Sequence, residues 1–274
     1  MSDFLRPMRY SGTGNTFVIV DVRAVNGGEW AETAQRVCSQ YSVDGLLLME
    51  KSSKADIRMR IFNPDGSEAS MCGNGSRCAA HYAANSLALG HSITMETLAG
   101  VLEARVEGVT VKVLLTPPRD IRPLTGYQVP GQAEVPIFLN TGVPHVVTEV
   151  GDLSHLDVVG VGRGVRRDER FLPEGTNASF FQKEDGNRIS VRVYERGVES
   201  ETVSCGTGST ACALVAAERY RLSSPVEVNV SSGERLRIHF ESADDGFRRV
   251  FLEGEVRVLG PAEVQPPLSS GGSK

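Results

Sequence analysis

Two cysteines in matching sequence contexts carry the strongest chemical signal in this chain. Cys72 opens the segment Cys-Gly-Asn-Gly-Ser, and Cys205 opens Cys-Gly-Thr-Gly-Ser 133 positions later. Each segment runs into an Ala-rich stretch with helical spacing. A thiol at the start of a helix faces unpaired backbone N–H groups and the positive end of the helix dipole, which stabilise a thiolate. The pair therefore predicts two opposed acid/base groups that move a proton at a stereocentre.

The repeat extends beyond the cysteines. Residues 97–102 are echoed by residues 231–236, and residues 12–18 loosely match residues 140–146. A period this long exceeds the roughly 20–50 residues of a solenoid repeat. It fits two copies of one domain instead, so a site at the seam between the halves would receive one cysteine loop from each.

Composition limits the class of protein. The chain has 274 residues, of which 40% are hydrophobic and 23% are charged, and these values suit two compact cores. Its net charge is −5 and no block of Lys and Arg stands out, so neither nucleic acid nor an anionic membrane is favoured as a partner. The first residues lack the apolar core of a signal peptide, and no run approaches the length of about 20 apolar residues of a membrane helix, so we expect neither segment. Five cysteines, an odd number, suit a reducing compartment, so we expect a cytoplasmic protein.

The apolar periodicity predicts an α+β protein. The first half reads as strands 17–21, 46–49, 57–62, 93–96, 101–106 and 110–115, with helices from 30 to 41 and from Cys72 to about residue 89. The second half restarts at residue 138 and includes strands 226–230, 236–240 and 248–252 around a helix after Cys205. We expect two pseudo-symmetric domains, each a curved, mostly antiparallel sheet around a central helix.

Proline and glycine suggest the boundaries of these domains. The strongest linker candidate is 117–120, so we place the first half at 1–119 and the second at 120–257. The segment 258–274 is expected to return to the first half. A glycine-rich run at 160–164 superficially resembles a dinucleotide-binding loop, but no buried strand precedes it, and we predict a surface loop there.

The turns that hold the cysteines suggest a ligand. Glycine-rich turns that enter helices direct backbone N–H groups at an anion, typically a carboxylate or a phosphate. Two such turns could clamp one α-carboxylate between two thiols. Removing an α-proton without a cofactor as electron sink requires concentrated N–H donors and well-placed bases.

Simpler interpretations compete for several of the same residues. A cysteine before a helix is more often a small buried hydrophobe than a nucleophile, and Cys38, Cys78 and Cys212 are predicted to lie in the core. Cys72, Cys78 and His81 match no usual zinc spacing, so we predict no metal site. His145, in a repeat-matched turn, could be functional or could be an ordinary loop histidine.

Several separated motifs together resemble the diaminopimelate epimerase family. They are Asn-Pro-Asp-Gly-Ser-Glu at 63–68, the segment 72–78, Gly-Thr-Asn-Ala-Ser-Phe at 175–180, Tyr-Glu-Arg-Gly at 194–197 and Cys-Gly-Thr-Gly at 205–208. Gly14-Asn15 and Pro144-His145 fit the same pattern in the same order. The resemblance covers roughly residues 8–258, and it is specific because the motifs agree in both order and spacing.

The resemblance implies an isomerase that interconverts LL- and meso-2,6-diaminopimelate in lysine and peptidoglycan biosynthesis. Such enzymes need neither pyridoxal phosphate nor any other cofactor, and they are commonly homodimers whose two domains close over the substrate. By likeness, Cys72 and Cys205 are the catalytic acid/base residues. The residues implied to bind the small-molecule substrate are Asn15, Asn63, Gly73, Asn74, His145, Asn177, Glu195, Arg196, Gly206 and Thr207.

The chain departs from the family pattern at two points. Val143 stands where the family often has asparagine, and one extra residue lies near 199–201, before Cys205. A proline racemase-like enzyme, which also uses two cysteines, is the alternative enzyme. A redox sensor that links Cys72 to Cys205 reversibly is the alternative of another class, although a sensor needs no carboxylate-binding turns.

Overall fold

The computed structural model describes residues 7–25, 28–243 and 246–267. The chain forms two compact units. The first takes the residues up to Val113 and again from Glu255, and the second is Leu114–Gly254. The segment 258–274 is predicted to return to the first half, and its residues 268–274 lie outside the described residues.

The first unit combines parallel and antiparallel strand pairs. Its elements are β1 (Met8–Gly12), β2 (Asn15–Asp21), α1 (Ala31–Tyr41), β3 (Gly45–Glu50), β4 (Ile57–Phe62), β5 (Glu68–Ala69), α2 (Gly73–Ser86), β6 (Ser92–Thr97), β7 (Gly100–Glu107) and β8 (Thr110–Leu114). Strand β2 pairs antiparallel with β1 and parallel with β3, and β4 pairs antiparallel with β3 and parallel with β6. Antiparallel pairs β6–β7 and β7–β8 follow.

After one additional strand, β9 (Arg119–Pro123), the second unit repeats this order. Its elements are β9, β10 (Ile137–Asn140), β11 (Pro144–Glu149), α3 (Val158–Arg166), β12 (Asn177–Lys183), β13 (Arg188–Glu195), β14 (Ser200–Thr202), α4 (Gly206–Tyr220), β15 (Val226–Val230), β16 (Arg235–Ala243) and β17 (Gly246–Pro261), whose residues from Glu255 onward belong to the first unit. Strand β11 pairs antiparallel with β10 and parallel with β12, and β13 pairs antiparallel with β12 and parallel with β15. The expected α+β class and the duplication of one topology are confirmed.

A buried helix forms the centre of each unit. Helix α2 contacts β1, β2, β3, β4, β6 and β7, and α4 contacts β10, β11, β12, β13, β15 and β16. A helix enclosed by strands on most sides must be apolar or small all round. Runs of alanine supply this in both helices, and Ala79, Ala80, Ala211 and Ala213 are fully buried. Helix α2 ends at Ser86, earlier than the expected residue 89.

Helix α3 corrects the sequence-based prediction of a surface loop at 160–164. Asp157 caps its first turn by accepting a hydrogen bond from the Gly160 N–H group (2.9 Å). Val158 and Val165, two helical turns apart, are buried in the core of the second unit. Glycine is needed at position 162 because a Cβ atom there would lie 2.3 Å from Cβ of Tyr194. Tertiary packing therefore outweighs the poor helix propensity of the glycines.

The proposed linker at 117–120 also needs correction, because residue 119 begins strand β9. All five residues of β9 are exposed, so the strand carries no apolar pattern by which it could be recognised. It pairs antiparallel with β10, and Ile137 lies opposite Pro123. None of the described helices is long and apolar enough to cross a membrane.

Candidate active site

Cys72 occupies the N-cap position of α2 and is partly exposed. Its backbone is extended (φ −144°, ψ 114°), so the chain turns sharply into the helix. The sulfur accepts a hydrogen bond from the Gly75 N–H group at 3.4 Å, and the Cys72 carbonyl accepts one from the Ser76 N–H group at 2.8 Å. The thiol therefore caps a helix N-terminus, as the Cys-Gly-x-Gly pattern predicts.

Cys205 occupies the same position at the start of α4. Its backbone angles are similar (φ −121°, ψ 110°), and its carbonyl accepts a hydrogen bond from the Ser209 N–H group at 2.8 Å. Its sulfur lies 3.5 Å from Oγ1 of Thr207. Cys205 is 7% exposed and thus more buried than Cys72. The two turns share one backbone geometry and differ in their side-chain surroundings.

In the first unit, a chain of hydrogen bonds orients two amide side chains. Asn74 donates through Nδ2 to Oδ1 of Asn15 (2.6 Å), and Asn15 donates through Nδ2 to Oδ2 of Asp44 (3.4 Å). Arg77, which is fully buried, donates to Oδ1 of Asn74 (3.0 Å) and to the hydroxyl of Thr13. With Asn74 held through its oxygen by Arg77, its amide nitrogen must point towards Asn15.

Asn63 lies in a separate turn of the first unit, directly after β4. Its Nδ2 donates to Oγ of Ser67 at 2.9 Å, and its backbone N–H group donates to the Ser67 carbonyl at 2.8 Å. Gly66 closes the turn with a positive φ of 86°, a conformation that favours glycine. The Asn-Pro-Asp-Gly-Ser motif is thus a rigid turn that holds the Asn63 side chain.

A carboxylate accompanies Cys205 in the second unit. Glu195, the last residue of β13, is hydrogen-bonded to Cys205, and its Oε2 accepts a hydrogen bond from Thr202 (3.1 Å). Burial, followed by the nearby Glu195 carboxylate, raises the pKa of Cys205, whereas Thr207 and the Gly208 N–H group act in the opposite direction. Burial also raises the pKa of Glu195. Cys205 therefore rests as a thiol that donates to Glu195.

His145 lies beside the same turn and is fully buried. Its Nε2 is 3.1 Å from Oγ1 of Thr207, and its Nδ1 is 2.9 Å from Oγ of Ser179. Burial lowers the pKa of His145 to about 3, and the positive charge of Arg196 contributes. His145 is therefore neutral at physiological pH, and its ring belongs to the Cys205 network.

Asn177 and Arg196 are brought together by a backbone contact. Oδ1 of Asn177 accepts a hydrogen bond from the Arg196 N–H group at 2.7 Å, and Asn177 is almost completely buried. The guanidinium of Arg196 donates to the Glu174 carbonyl at 2.6 Å and is partly exposed. The loop is thereby anchored while a basic side chain remains partly accessible.

The extra residue before Cys205 is accommodated in a tight turn. Glu199 adopts a left-handed conformation (φ 56°), and its N–H group donates to the Glu195 carbonyl at 2.8 Å. Its carboxylate accepts hydrogen bonds from Arg166 (3.0 Å) and from the Tyr194 hydroxyl (3.2 Å). These contacts fix the loop that follows Glu195.

The remaining cysteines are core residues. Cys38, Cys78 and Cys212 are all at most 3% exposed. Burial raises the pKa of Cys38 to about 11 and raises that of Cys212 as well, so both are inert thiols at neutral pH. No cluster of three or more His, Cys, Asp or Glu side chains within the described part of the chain could hold a metal ion.

The sequence assigns no role to four residues of these networks. Thr202 contacts Glu195, Ser179 contacts His145, and Asp44 and Arg77 end the amide chain of the first unit. Ser179 and Arg77 fall inside motifs that resemble a known family, yet the motifs alone give them no role. Each turn offers helix N-terminal N–H groups beside a thiol, which suits a carboxylate whose neighbouring carbon gains and loses a proton.

Comparison with known proteins supplies independent information. A family described as diaminopimelate epimerase matches residues 8–120 and 137–259. The chain is 41% identical to a diaminopimelate epimerase of Aquifex aeolicus (strain VF5) over 264 residues, which cover 90% of this chain and 93% of the relative.

Two solved structures resemble the fold at low sequence identity. A phenazine biosynthesis protein of the PhzF family from Bacillus anthracis has a TM-score of 0.74 at 19% identity, over 95% of this chain and 99% of that chain. A hydroxyproline epimerase from Agrobacterium vitis has a TM-score of 0.65 at 14% identity, over 95% and 92%. At these identities the likeness concerns the fold alone.

Proposed function

We propose that this chain, which belongs to the diaminopimelate epimerase family, interconverts LL- and meso-2,6-diaminopimelate without a cofactor. The observation that carries the proposal is the placement of Cys72 and Cys205 at the N-caps of two topologically equivalent helices. An epimerase that inverts one carbon needs one group to remove the proton and another to return it. A matched pair of thiols answers that need, whereas a single reactive cysteine would not.

The chemistry assigned to each turn follows from its polar groups. A thiolate removes the α-proton and a thiol delivers a proton to the opposite face of the carbon, so the configuration inverts. The N–H groups at Gly73-Asn74 and Gly206-Thr207 donate to the reacting carboxylate, where negative charge accumulates as the proton leaves. Glu195 supports the assignment of Cys205 as a thiol at rest.

Substrate selection is assigned to groups outside the two turns. Diaminopimelate carries a second amino acid end, and Asn63, Asn177 and Arg196 provide amide and guanidinium groups for it. A substrate without that end leaves such groups unpaired at a cost of about 1–3 kcal/mol each. Asn15, Asn74, His145 and Glu195 are further proposed ligands of amino and carboxylate groups. Proline, which lacks a second charged end, is expected to be a poor substrate.

The assembly and location of the protein are parts of the same proposal. Family resemblance supports a homodimer that acts in the cytoplasm on a precursor of lysine and peptidoglycan. Five cysteines without a disulfide are compatible with a reducing compartment. Size-exclusion chromatography with light scattering is expected to give twice the chain mass of 29.5 kDa.

Conversion of the two stereoisomers tests the function directly. Purified protein is incubated with LL-diaminopimelate, and the stereoisomers are separated after chiral derivatisation. Accumulation of the meso form up to an equilibrium mixture, with no comparable racemisation of L-proline, is the expected result. Proline turnover at a rivalling rate would assign the chain to the proline racemase alternative. No conversion of either, together with a reversible loss of free thiols under mild oxidant, would favour the redox sensor.

A further inference from the structure

Ser179 forms a buried hydrogen-bond chain that leads to Cys205. Its Oγ is 2.9 Å from Nδ1 of His145, Nε2 of His145 is 3.1 Å from Oγ1 of Thr207, and that oxygen is 3.5 Å from the Cys205 sulfur. Ser179 and His145 are fully buried. Because Ser179 and His145 are both buried, the protons of these two side chains need protein partners.

The number of protons determines which atoms donate and which accept in this hydrogen-bond chain. Within the described residues, Oγ of Ser179 has one hydrogen-bond partner, Nδ1 of His145. If Nδ1 carried the ring proton, it would donate to Oγ and leave the serine hydroxyl proton without an acceptor in a buried site. If Ser179 donates to Nδ1 instead, the ring proton lies on Nε2, and all three protons of the chain are satisfied.

These donor and acceptor roles determine whether Thr207 presents its hydroxyl proton or a lone pair to the sulfur of Cys205. With Nε2 of His145 as donor, Oγ1 of Thr207 accepts from the ring, so the Thr207 hydroxyl proton remains to be donated onward. Its other contact in the described part of the chain is the sulfur of Cys205. The opposite tautomer would draw the hydroxyl proton to the ring and turn a lone pair towards the sulfur.

We propose that Ser179 is a positioning residue that holds His145 as its Nε2–H tautomer, so that the Thr207 hydroxyl donates to the sulfur of Cys205. This rests on the proposed function insofar as the sulfur is an acid/base group. A donor already aimed at the sulfur stabilises the thiolate when Cys205 gives up its proton, without reorganisation at that moment. Once formed, the thiolate accepts from both the Thr207 hydroxyl and the Gly208 N–H group.

Other charged and titratable groups near the chain are accounted for. Glu195, on β13, faces the sulfur and favours the thiol. Arg196, which follows the same strand, faces His145 and favours the neutral ring. Cys212, about two turns along α4 from Cys205, is itself a buried thiol. None of these groups sets which ring nitrogen of His145 carries the proton, so that choice is left to Ser179 and Thr207.

The ring tautomer is measured by NMR on protein labelled with ¹⁵N-histidine, in which long-range correlations show which nitrogen is protonated. The signals of His145 are assigned as those that disappear in a His145→Gln variant. We expect the Nε2–H form in the unmodified protein and a shift towards an average of both tautomers in Ser179→Ala. Ser209→Ala is the matched control, because Ser209 is equally buried but its Oγ has no partner in the described structure. A predominant Nδ1–H form in the unmodified protein overturns the proposal.

A second readout follows the sulfur itself. The alkylation rate of Cys205 by iodoacetamide, resolved by peptide mass spectrometry at fixed pH, reports its thiolate fraction. Loss of one hydrogen bond to a charged group should reduce this rate about 10-fold or more in Thr207→Val. Ser179→Ala should reduce it less, and Thr207→Ser should restore it. Equal rates in Ser179→Ala and Ser209→Ala would contradict the proposal. Neither readout depends on turnover, so failure here is distinguishable from failure of the proposed epimerase activity.

Discussion

The two cysteine turns differ in what surrounds an otherwise common backbone. Cys72 and Cys205 both cap a central helix, and in both turns the cysteine carbonyl accepts an N–H group from four residues further on at 2.8 Å. Cys72 is partly exposed and its sulfur accepts from Gly75. Cys205 is buried, bonded to Glu195 and in contact with Thr207. The duplicated backbone supplies N–H donors twice, and the side chains then specialise each copy.

The strand registers show where the copies diverge. His145 pairs with Asn177 as Phe17 pairs with Gly45, so His145 takes the place of Phe17. Two residues further along the partner strands β3 and β12, Ser179 takes the place of Leu47. An apolar pair in the first unit has thus become a buried polar pair in the second.

The residues at the C-terminal ends of β4 and β13 diverge as well. Tyr194 lies opposite Glu201 as Phe62 lies opposite Glu68, so Glu195 takes the place of Asn63. The second unit therefore carries a carboxylate where the first carries a neutral amide. Glu195 thus helps to keep Cys205 protonated within the second unit. In the first unit, the polar groups beside Cys72 instead orient the side chains of Asn15 and Asn74.

Removal of either sulfur is expected to have the largest effect. Cys72→Ala and Cys205→Ala should each reduce kcat by at least about 10²–10⁴-fold, because each supplies a general acid/base group that has no substitute. Cys38→Ala, a buried cysteine outside both turns, should keep near-normal turnover. Circular dichroism melting curves verify that all three variants fold. A fully active Cys72→Ala or Cys205→Ala variant would end the two-base interpretation.

Glu195→Gln should make the two turns more alike. A glutamine keeps the shape of the side chain but removes the negative charge that favours the Cys205 thiol. The pKa of Cys205 should therefore fall, and its alkylation rate at fixed pH should rise about 10-fold for each unit of pKa. Turnover should fall at the same time, because Cys205 is then less fully protonated and less able to donate a proton. An unchanged or slower alkylation of Cys205 would show that Glu195 does not control the thiol.

His145 should give the second unit a distinct dependence of stability on pH. Its pKa in the folded protein is lowered to about 3, whereas an unfolded histidine binds its proton near pH 6.5. Between these values the unfolded state binds more protons, so stability rises with pH and is lost as pH falls. The slope due to this residue should be about 1.4 kcal/mol per pH unit. Urea unfolding of the unmodified protein and of His145→Gln between about pH 4.5 and 6 measures it, and parallel curves would refute it.

Helix α3 allows a smaller, purely structural test. Gly162→Ala should destabilise the protein by about 1–3 kcal/mol, because the new Cβ would lie 2.3 Å from Tyr194. Gly164→Ala on the same helix has open space around it and should be neutral or stabilise by up to about 1 kcal/mol. Denaturant unfolding of both variants checks the contrast. Equal effects would mean that the close approach of α3 to β13 is not what requires glycine.

Strong local patterns made much of the fold predictable. Residues 57–61 alternate between buried and half-buried positions, and the strand at 57–62 has the predicted bounds. The helices after Cys72 and Cys205 follow from their glycine-rich starts and alanine-rich bodies. The α3 helix could not be recognised, because its glycines are poor helix formers and packing against Tyr194 explains the one at position 162 alone. Strand β9 carries no apolar signal at all.

The candidate site was predictable where residues come in motifs. The cysteines, His145 and Glu195 stand in recognisable segments, and the structure brings the last two into one network with Cys205. Thr202 and Ser179 could not be identified, because a single hydroxyl is common in any strand and acquires meaning only from its partner. Arg77, fully buried, is similarly unexpected, since arginine is rarely buried without a specific arrangement of acceptors.

The most direct test of the two-base account is the isotope pattern of the first turnovers in D₂O. LL-diaminopimelate is incubated with the protein to low conversion, and the deuterium content of both stereoisomers is measured by mass spectrometry. If one thiolate removes the proton and the other sulfur, exchanged with solvent, delivers a deuteron, the meso product should carry one deuterium while the recovered LL substrate carries almost none. Deuterium in the recovered substrate at a level similar to that in the product would mean that one base serves both faces, which contradicts separate roles for Cys72 and Cys205.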